Sequence, residues 1–219
     1  MKTSGTTKIK IKICGLTNPE QALSCAELGA DLIGLNCWSG SSRFINPEKV
    51  REIVNALPDS VTTVGVFVNK SPEAVNNLMR ETGMDLAQLH GDESVNQCNE
   101  LEVPWFKAFR VSADFNVEQI LQYGQDTFLL DAFSKHHYGG SGRKIDLEIA
   151  GQAAGLGRLI LAGGLTAENV AEAAENVKPW GVDVCSGVES DPGIKDMRLV
   201  EKFISNIRKT DFSCIKNLL

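Results

Sequence analysis

The sequence has no excess of positive charge and no long apolar run. It contains 22 lysine and arginine residues against 28 aspartate and glutamate residues, so the formal net charge is −6 at pH 7. A chain of this charge lacks the basic surface that nucleic-acid binding requires. No apolar stretch approaches the roughly 20 residues that span a membrane. The opening MKTSGTTKIK contains no signal-peptide core. We therefore expect a soluble, cytoplasmic protein with no nucleic-acid or membrane partner.

The sequence also lacks the cysteine and histidine patterns of metal centres and disulfide scaffolds. None of the six cysteines forms a C-x-x-C pair. His136 and His137 are adjacent and His90 is distant, a spacing that does not make a metal site. A disulfide framework is not expected in 219 residues of which 42% are hydrophobic. We expect no metal, and we expect most of the cysteines to be small buried hydrophobic residues.

What the sequence does contain is a regular series of short apolar runs. Eight runs are typical of β-strands, and they end near residues 14, 37, 68, 90, 110, 131, 162 and 185. The spacing of roughly 20 to 30 residues fits one strand and one helix per unit. Eight units predict an α/β fold in which residues 1–219 form one domain, a (β/α)8 TIM barrel with a closed parallel sheet. An open doubly wound sheet is the alternative, but the eight units leave little chain beyond the repeat.

Helix-like segments follow most of these strands, and several begin with recognisable capping residues. NPEQALSCAELGA, NPEKVREIVNAL and SPEAVNNLMRETG open with Asn18, Asn46 and Ser71, each followed by proline. A cap followed by proline is typical of a helix start. TAENVAEAAENV predicts a fourth helix with Thr166 as its cap.

The first strand places a cysteine among lysines. In KIKIKIC the isoleucines alternate with Lys10, Lys12 and Cys14. Barrel strands alternate between lumen and helix layer, so the isoleucines should face the helices and Cys14 the lumen. Cys14 would then lie at the carboxyl end of strand 1, where barrel enzymes keep their active sites. Asp131 ends strand 6 in the same way, and a carboxylate there is costly unless it has a task or a partner.

Lys12 is the residue that could activate Cys14. An ordinary cysteine is mostly protonated at neutral pH, and only the thiolate is a serviceable base. Lys12 lies two residues back on the same face, about 7 Å away. A charge at that distance is worth roughly 2 kcal/mol, or one to two pKa units. The hypothesis is that Lys12 helps to ionise Cys14.

Glycine-rich turns end the last two strands and could bind phosphate. Barrels often bind phosphate through backbone N–H groups of the loops after strands 7 and 8. The candidates are Gly163, Gly164, Ser186 and Gly187. Small residues there let the backbone approach a ligand closely.

Two further polar residues follow barrel strands. Arg43, after strand 2, could pair with an anionic substrate group, or it could be an ordinary surface arginine. His90, after strand 4, could contact a ligand or be structural.

Several motifs together resemble one family. They are KICGLTN, VGVFVN, QLHGDE, LLDAF with GGSGRKIDL, LAGGLTAENV, and GVDVCSGVE with PGIKD. In this order they resemble phosphoribosylanthranilate isomerases, and they span nearly the whole chain, from Lys12 to Asp196. Other phosphosugar barrels share the glycine turns but not the combination of KICGLTN, DVCSGVE and PGIKD.

The resemblance implies an activity. The substrate would be N-(5-phosphoribosyl)anthranilate, and an Amadori rearrangement would give 1-(2-carboxyphenylamino)-1-deoxyribulose 5-phosphate in tryptophan biosynthesis. The partner is thus a small phosphosugar, no cofactor or metal is needed, and family members occur as monomers and homodimers.

The resemblance also implies roles for individual residues. Cys14 would be the base, Asp131 the acid, and Arg43 the residue that holds the anthranilate carboxylate. His90 and Asp183 match polar positions that line the site. The implied phosphate cradle comprises Gly163, Gly164, Ser186 and Gly187.

Two segments bear on how far the resemblance reaches. The loop NCWSGSSRFI lacks the lysine and proline that the family usually shows there, so a rigid loop does not follow from the resemblance. The segment after strand 6 keeps its glycines, has Arg143 where lysine is usual, and is expected to form a lid.

Other functions remain open at this point. A related barrel isomerase of histidine synthesis performs the same rearrangement and resembles this class. That enzyme and the dual-substrate enzymes have aspartate where this chain has Cys14, so Cys14 argues against both. A non-catalytic phosphosugar-binding barrel has only the altered strand-2 loop in its favour. A nucleic-acid or protein-interaction module has no supporting feature.

Overall fold

The computed structural model describes residues 8–112, 114–132 and 146–210. Within these ranges, eight parallel strands pair in chain order and the eighth returns to the first, which closes the sheet into a barrel. The strands are β1 (Lys10–Cys14), β2 (Leu32–Asn36), β3 (Thr62–Phe67), β4 (Leu86–Leu89), β5 (Trp105–Val111), β6 (Thr127–Ala132), β7 (Arg158–Leu161) and β8 (Gly181–Val184). The predicted (β/α)8 barrel is confirmed, and each strand ends within one residue of its expected position.

Helices connect most of the strands and surround the barrel. They are α1 (Pro19–Glu27), α2 (Pro47–Ala56), α3 (Pro72–Thr82), α4 (Val95–Asn99), α5 (Leu147–Ala154), α6 (Val170–Val177) and α7 (Met197–Lys209). A 3₁₀ helix, Val117–Tyr123, stands between β5 and β6. After β8 come a 3₁₀ turn, Ser186–Val188, and a small antiparallel pair, β9 (Glu189–Asp191) and β10 (Ile194–Lys195). None of the helices in the described ranges is long and apolar enough to cross a membrane.

Three of the four predicted helix caps are confirmed. The side chains of Asn18, Asn46 and Ser71 each accept a hydrogen bond from a backbone N–H in the first turn of α1, α2 and α3. The fourth prediction is wrong, because α6 begins at Val170 and not after Thr166. Thr166 N donates to Asn169 Oδ1 at 2.8 Å, which closes a separate turn before the helix.

The barrel has two apolar layers, and their composition confirms the predicted alternation in β1. Ile9, Ile11 and Ile13 belong to the core between strands and helices. A smaller core fills the lumen and comprises Leu32, Val64, Phe106, Ala108, Leu129, Ile160 and Ala162. Lys12 and Cys14 have the opposite orientation to the isoleucines, towards the lumen. Because these apolar residues fill the lumen below Lys12 and Cys14, the polar side chains lie at the carboxyl ends of the strands.

One sequence prediction falls outside the described residues. The lid expected after strand 6, with His136, His137 and Arg143, lies in 133–145.

Candidate active site

The carboxyl ends of the strands bring the candidate residues together. Cys14, Arg43, His90, Asp131 and Asp183 line one cavity. A second cavity shares Asp131 and Asp183 with the first, and its remaining wall includes Gly163, Gly164, Ser186 and Gly187. These nine candidate site residues thus surround two adjoining cavities at the end of the barrel where such enzymes act.

Lys12 lies beneath Cys14 in an ion pair. Its side chain is fully buried, and Nζ lies 2.8 Å from Asp183 Oδ1 on the neighbouring strand β8. Burial alone would lower the pKa of Lys12, but Asp183 and Cys14 outweigh it and raise the pKa above its ordinary value. Lys12 therefore keeps its positive charge in the lumen, as the activation hypothesis requires.

Gly34 provides the space in which Lys12 and Cys14 meet. A Cβ on Gly34 would lie 2.7 Å from Cys14 Sγ and 2.9 Å from Lys12 Nζ. Real side chains do not tolerate such distances, so a larger residue on β2 would displace the thiol or the ammonium group. The missing side chain at position 34 is part of how the site is built.

The surroundings of Cys14 lower the pKa of its thiol. A hydrogen bond with the Cys185 thiol lowers its pKa most, burial opposes this, and the charge of Lys12 lowers it further. The result is a pKa well below the ordinary cysteine value. A buried thiol whose pKa is lowered in this way is suited, once ionised, to removing a proton from a ligand.

Asp183 pairs with Lys12, and its own pKa is changed by burial in the lumen. Burial raises its pKa to about 6, although Lys12 opposes the shift. The carboxylate is therefore ionised at pH 7 and becomes neutral in mild acid. Its negative charge also acts on Cys14, so Asp183 moderates the effect of Lys12 on the thiol.

His90 and Asp131 face each other across the cavity. Gln88 Nε2 lies 2.8 Å from His90 Nδ1. An amide donor at Nδ1 places the imidazole proton on Nε2. Nε2 lies 3.4 Å from Asp131 Oδ2, without hydrogen-bond geometry. His90 Nε2 and Gln88 Oε1 are buried polar atoms that no described residue satisfies, so they are available to a ligand.

Gln88 was not identified from the sequence. Its signal was a glutamine inside the buried strand LAQL, two residues before His90 and therefore on the same face of β4.

Arg43 is held by a carboxylate that was not identified from the sequence either. Its Nε donates to Glu189 Oε1 at 2.8 Å, and its Nη2 donates to Oε2 at 2.5 Å. Lys195 Nζ lies 2.7 Å from the same Oε1. Burial would raise the pKa of Glu189, but these two cations lower it overall. One carboxylate between two cations leaves a net positive charge beside the cavity, which favours an anionic ligand group.

The loops after β7 and β8 approach each other closely. Gly163 and Gly164 have φ of 90° and 68°, a conformation that favours glycine. A Cβ on Gly187 would lie 2.0 Å from the carbonyl oxygen of Leu165. Only glycine fits there, and its lack of a side chain lets the two turns approach each other around the second cavity. Across the described ranges, no group of three or more His, Cys, Asp and Glu side chains is placed to bind a metal ion.

The fold and this cavity define a (β/α)8-barrel enzyme that works by acid–base chemistry. The family described as N-(5'-phosphoribosyl)anthranilate (PRA) isomerase matches residues 11–206. The chain therefore belongs to the phosphoribosylanthranilate isomerase family, as its motifs indicated, and it is an isomerase.

Individual relatives agree over nearly their whole length. The N-(5'-phosphoribosyl)anthranilate isomerase of Trichlorobacter lovleyi is 48% identical over 202 residues, which cover 92% of this chain and 98% of the relative. The crystal structure of phosphoribosyl anthranilate isomerase from Thermus thermophilus is 34% identical with a TM-score of 0.85, covering 93% of this chain and 100% of that one. A third relative is a phosphoribosyl anthranilate isomerase whose crystal structure contains reduced 1-(o-carboxyphenylamino)-1-deoxyribulose 5-phosphate. It is 37% identical with a TM-score of 0.82, covering 91% of this chain and 98% of that one.

Proposed function

We propose that this chain converts N-(5-phosphoribosyl)anthranilate to 1-(2-carboxyphenylamino)-1-deoxyribulose 5-phosphate in tryptophan biosynthesis. The observation that carries the proposal is Cys14, whose pKa is lowered, in one cavity with Asp131, with Arg43 on one side and the glycine turns on the other. This order of groups fits a substrate with a carboxylate at one end and a phosphate at the other. The related structure that holds a reduced form of the product supports the same substrate class.

Asp131 acts as the general acid in this proposal. Its carboxyl group gives a proton to the furanose ring oxygen, the C1′–O bond breaks, and the anthranilate nitrogen becomes a protonated imine. Asp131 is 5% exposed, so bulk water competes little for the proton that it transfers. His90 Nε2, at 3.4 Å, lies beside the carboxylate that remains after the transfer.

Cys14 acts as the general base. Its thiolate takes the proton from C2′, and the C–H electron pair forms the C1′–C2′ double bond while the imine nitrogen becomes neutral. The enolamine then tautomerises to the ketone: the C2′ hydroxyl loses its proton, the C2′–O bond becomes double, and the electron pair of the C1′–C2′ double bond takes up a proton at C1′. The protonated imine accepts the electrons. Acid and base come from β6 and β1, which are not neighbours in the barrel, so they can reach opposite sides of the sugar.

Arg43 and the glycine turns hold the two ends of the substrate. The guanidinium is preorganised by Glu189, and the extra cation on Lys195 keeps this cluster positive enough to receive the anthranilate carboxylate. Gly163, Gly164, Ser186 and Gly187 present backbone to the phosphate. Gln88 Oε1 and His90 Nε2 are available for sugar hydroxyl groups, and Asp183 lines both cavities.

A thiolate base must remain reduced, which bears on where the enzyme works. Cys14, Cys25, Cys37, Cys98 and Cys185 are all free thiols. Free thiols are typical of the reducing cytoplasm, and we place the enzyme there.

The test is a comparison of two substrates. The purified protein is mixed with freshly made phosphoribosylanthranilate, and the loss of substrate fluorescence is followed. A parallel sample receives the imidazole-ribonucleotide aldose of histidine synthesis. Turnover of the anthranilate substrate alone is the expected result. Turnover of the imidazole substrate alone would replace the proposed substrate, and binding of inorganic phosphate with no turnover of either would mean a non-catalytic barrel.

A further inference from the structure

Gln88 is an amide buried among apolar residues in the barrel lumen. On β4 it lies opposite Val66 of β3 and Phe106 of β5 in the register of the sheet, and it is 1% exposed. Its Oε1 has no hydrogen-bond partner among the described residues. An amide in such a place costs free energy unless its polar atoms have a task. The contact that Gln88 does make, with His90, should therefore indicate its role.

That contact decides which nitrogen of the His90 ring bears a proton. Gln88 Nε2 lies 2.8 Å from His90 Nδ1. An amide N–H can only donate, so Nδ1 is the unprotonated nitrogen and the proton lies on Nε2. A second proton, which would make His90 an imidazolium, has to bind at Nδ1 and would meet this amide N–H directly. The hydrogen bond from Gln88 therefore opposes the charged form of His90.

The neutral form matters because Asp131 lies next to the imidazole. His90 Nε2 is 3.4 Å from Asp131 Oδ2, and each of the two side chains is 7% exposed. A cation at this distance would favour the ionised carboxylate, and an ionised Asp131 has no proton to give to the substrate. A neutral His90 leaves the proton on Asp131, and its Nε2–H can donate to the carboxylate once that proton has been transferred.

We propose that Gln88 is a positioning residue that keeps His90 neutral, with its proton on Nε2, so that Asp131 retains the proton needed for ring opening. The proposal rests on the proposed function, in which Asp131 is the general acid. Gln88 acts through His90 and need not touch the substrate itself.

The cavity contains other ionisable groups, and a substitution at position 88 alters none of them. They are Cys14, Arg43, Asp183 and Cys185. A change in the protonation of His90 in a Gln88 variant therefore reports the lost amide donor.

The experiment records nitrogen-15 NMR spectra of the imidazole rings, which distinguish the two neutral tautomers from imidazolium. The chain has three histidines, and a His90→Asn sample identifies the signals of His90. Gln88→Met removes the donor with little change in side-chain length, and Gln88→Glu puts an acceptor against Nδ1. Asn76→Leu is the matched control, because Asn76 is also a buried amide, 5% exposed, but bonds to backbone atoms of Glu100 and Glu102 outside the cavity.

The expected result at pH 7 is a neutral His90 with its proton on Nε2 in the wild type and in Asn76→Leu. Gln88→Glu should show a proton on Nδ1, and Gln88→Met should show a larger imidazolium fraction than the wild type. On phosphoribosylanthranilate, kcat at pH 7 should fall by about tenfold or more in Gln88→Glu, because part of the contribution of the general acid is lost. The loss in Gln88→Met should be smaller, and KM should change little. A merely structural role of Gln88 would lower stability, as in Asn76→Leu, without changing the His90 signals.

Two results would overturn the proposal. One is a wild-type His90 with a proton on Nδ1, since Gln88 would then present its oxygen to the ring. The other is a set of His90 signals and kcat values that are the same in both Gln88 variants as in the wild type. The spectra need no substrate, so a wild type that fails to turn over phosphoribosylanthranilate would refute the proposed function, while the spectra would still decide whether Gln88 controls the protonation of His90.

Discussion

At the scale of single residues, the lumen contains a charge arrangement that the proposed chemistry needs. Lys12 is completely buried, and a buried charge is tolerated only with a partner. Asp183 supplies the partner at 2.8 Å, and Cys14 lies at the open side of the pair. The two charges act on the thiol with opposite sign. Removing Lys12 should therefore raise the pKa of Cys14, and removing Asp183 should lower it.

The variants Lys12→Met and Asp183→Asn test this directly. In Lys12→Met we expect the acid limb of the pH–rate profile to rise by about one to two pH units, because the cation that favours the thiolate is gone. The alkylation midpoint of Cys14, the pH at which its reaction with iodoacetamide is half maximal, should rise by the same amount. In Asp183→Asn the alkylation midpoint of Cys14 should fall, since a neighbouring negative charge is lost. A pH–rate profile that is unchanged in Lys12→Met would show that Lys12 does not activate the base.

At the scale of elements, the sequence predicted the parts whose signal is local. The alternation in β1 assigned Cys14 to the lumen, and the Asn-Pro and Ser-Pro pairs located the starts of α1, α2 and α3. Thr166 failed as a cap because its partner, Asn169, forms a competing turn that local pattern alone does not distinguish.

The contacts between distant elements were not predictable in the same way. The pair of Lys12 and Asp183 is 171 residues apart in sequence, and the pair of Arg43 and Glu189 is 146 apart. Such pairs depend on the register of β8 against β1 and on the path of the loop after β8. No periodicity encodes either feature, although the motif that contains Glu189 and Lys195 was recognised as specific.

One element, α7, ties the end of the described chain to its beginning. Arg208 donates to the carbonyl oxygens of Ile9 and Gly29 at 2.7 and 2.9 Å and lies 2.8 Å from Asp31 Oδ2. Asp31 also accepts from Lys10 Nζ at 2.9 Å. Burial would raise the pKa of Asp31, but these hydrogen bonds outweigh it and lower the pKa below its ordinary value.

We expect Arg208→Met to lower the free energy of unfolding by about 1–2 kcal/mol, because carbonyl and carboxylate acceptors lose their donor. Urea unfolding measures this, with Arg198→Met as the control, since Arg198 is 92% exposed. Since the pKa of Asp31 is lowered on folding, its contribution is fully present above about pH 4 and is lost as the pH falls through its folded pKa. Asp31→Asn should therefore resemble the wild type in acid and be less stable at pH 7. An equal difference at both pH values would contradict this account.

At the scale of the whole molecule, the closed sheet joins both ends of the chain. β1 pairs with β2 on one side and with β8 on the other. We propose that residues 1–219 form a single domain, because any division of the barrel would separate hydrogen-bonded strands. A proteolytic fragment that stays folded without the rest would contradict this. The net charge of −6 does not itself attract an anionic substrate, so binding must depend on the local cations Lys12, Arg43 and Lys195.

The central claim is that Cys14 removes a proton and Asp131 supplies one, and steady-state kinetics of Cys14→Ser and Asp131→Asn on phosphoribosylanthranilate tests it most directly. The account predicts that each substitution lowers kcat by about 100- to 10,000-fold, the usual contribution of a positioned acid or base, with little change in KM. Turnover that survives Cys14→Ser largely intact would remove Cys14 as the base, and survival of Asp131→Asn would remove Asp131 as the acid.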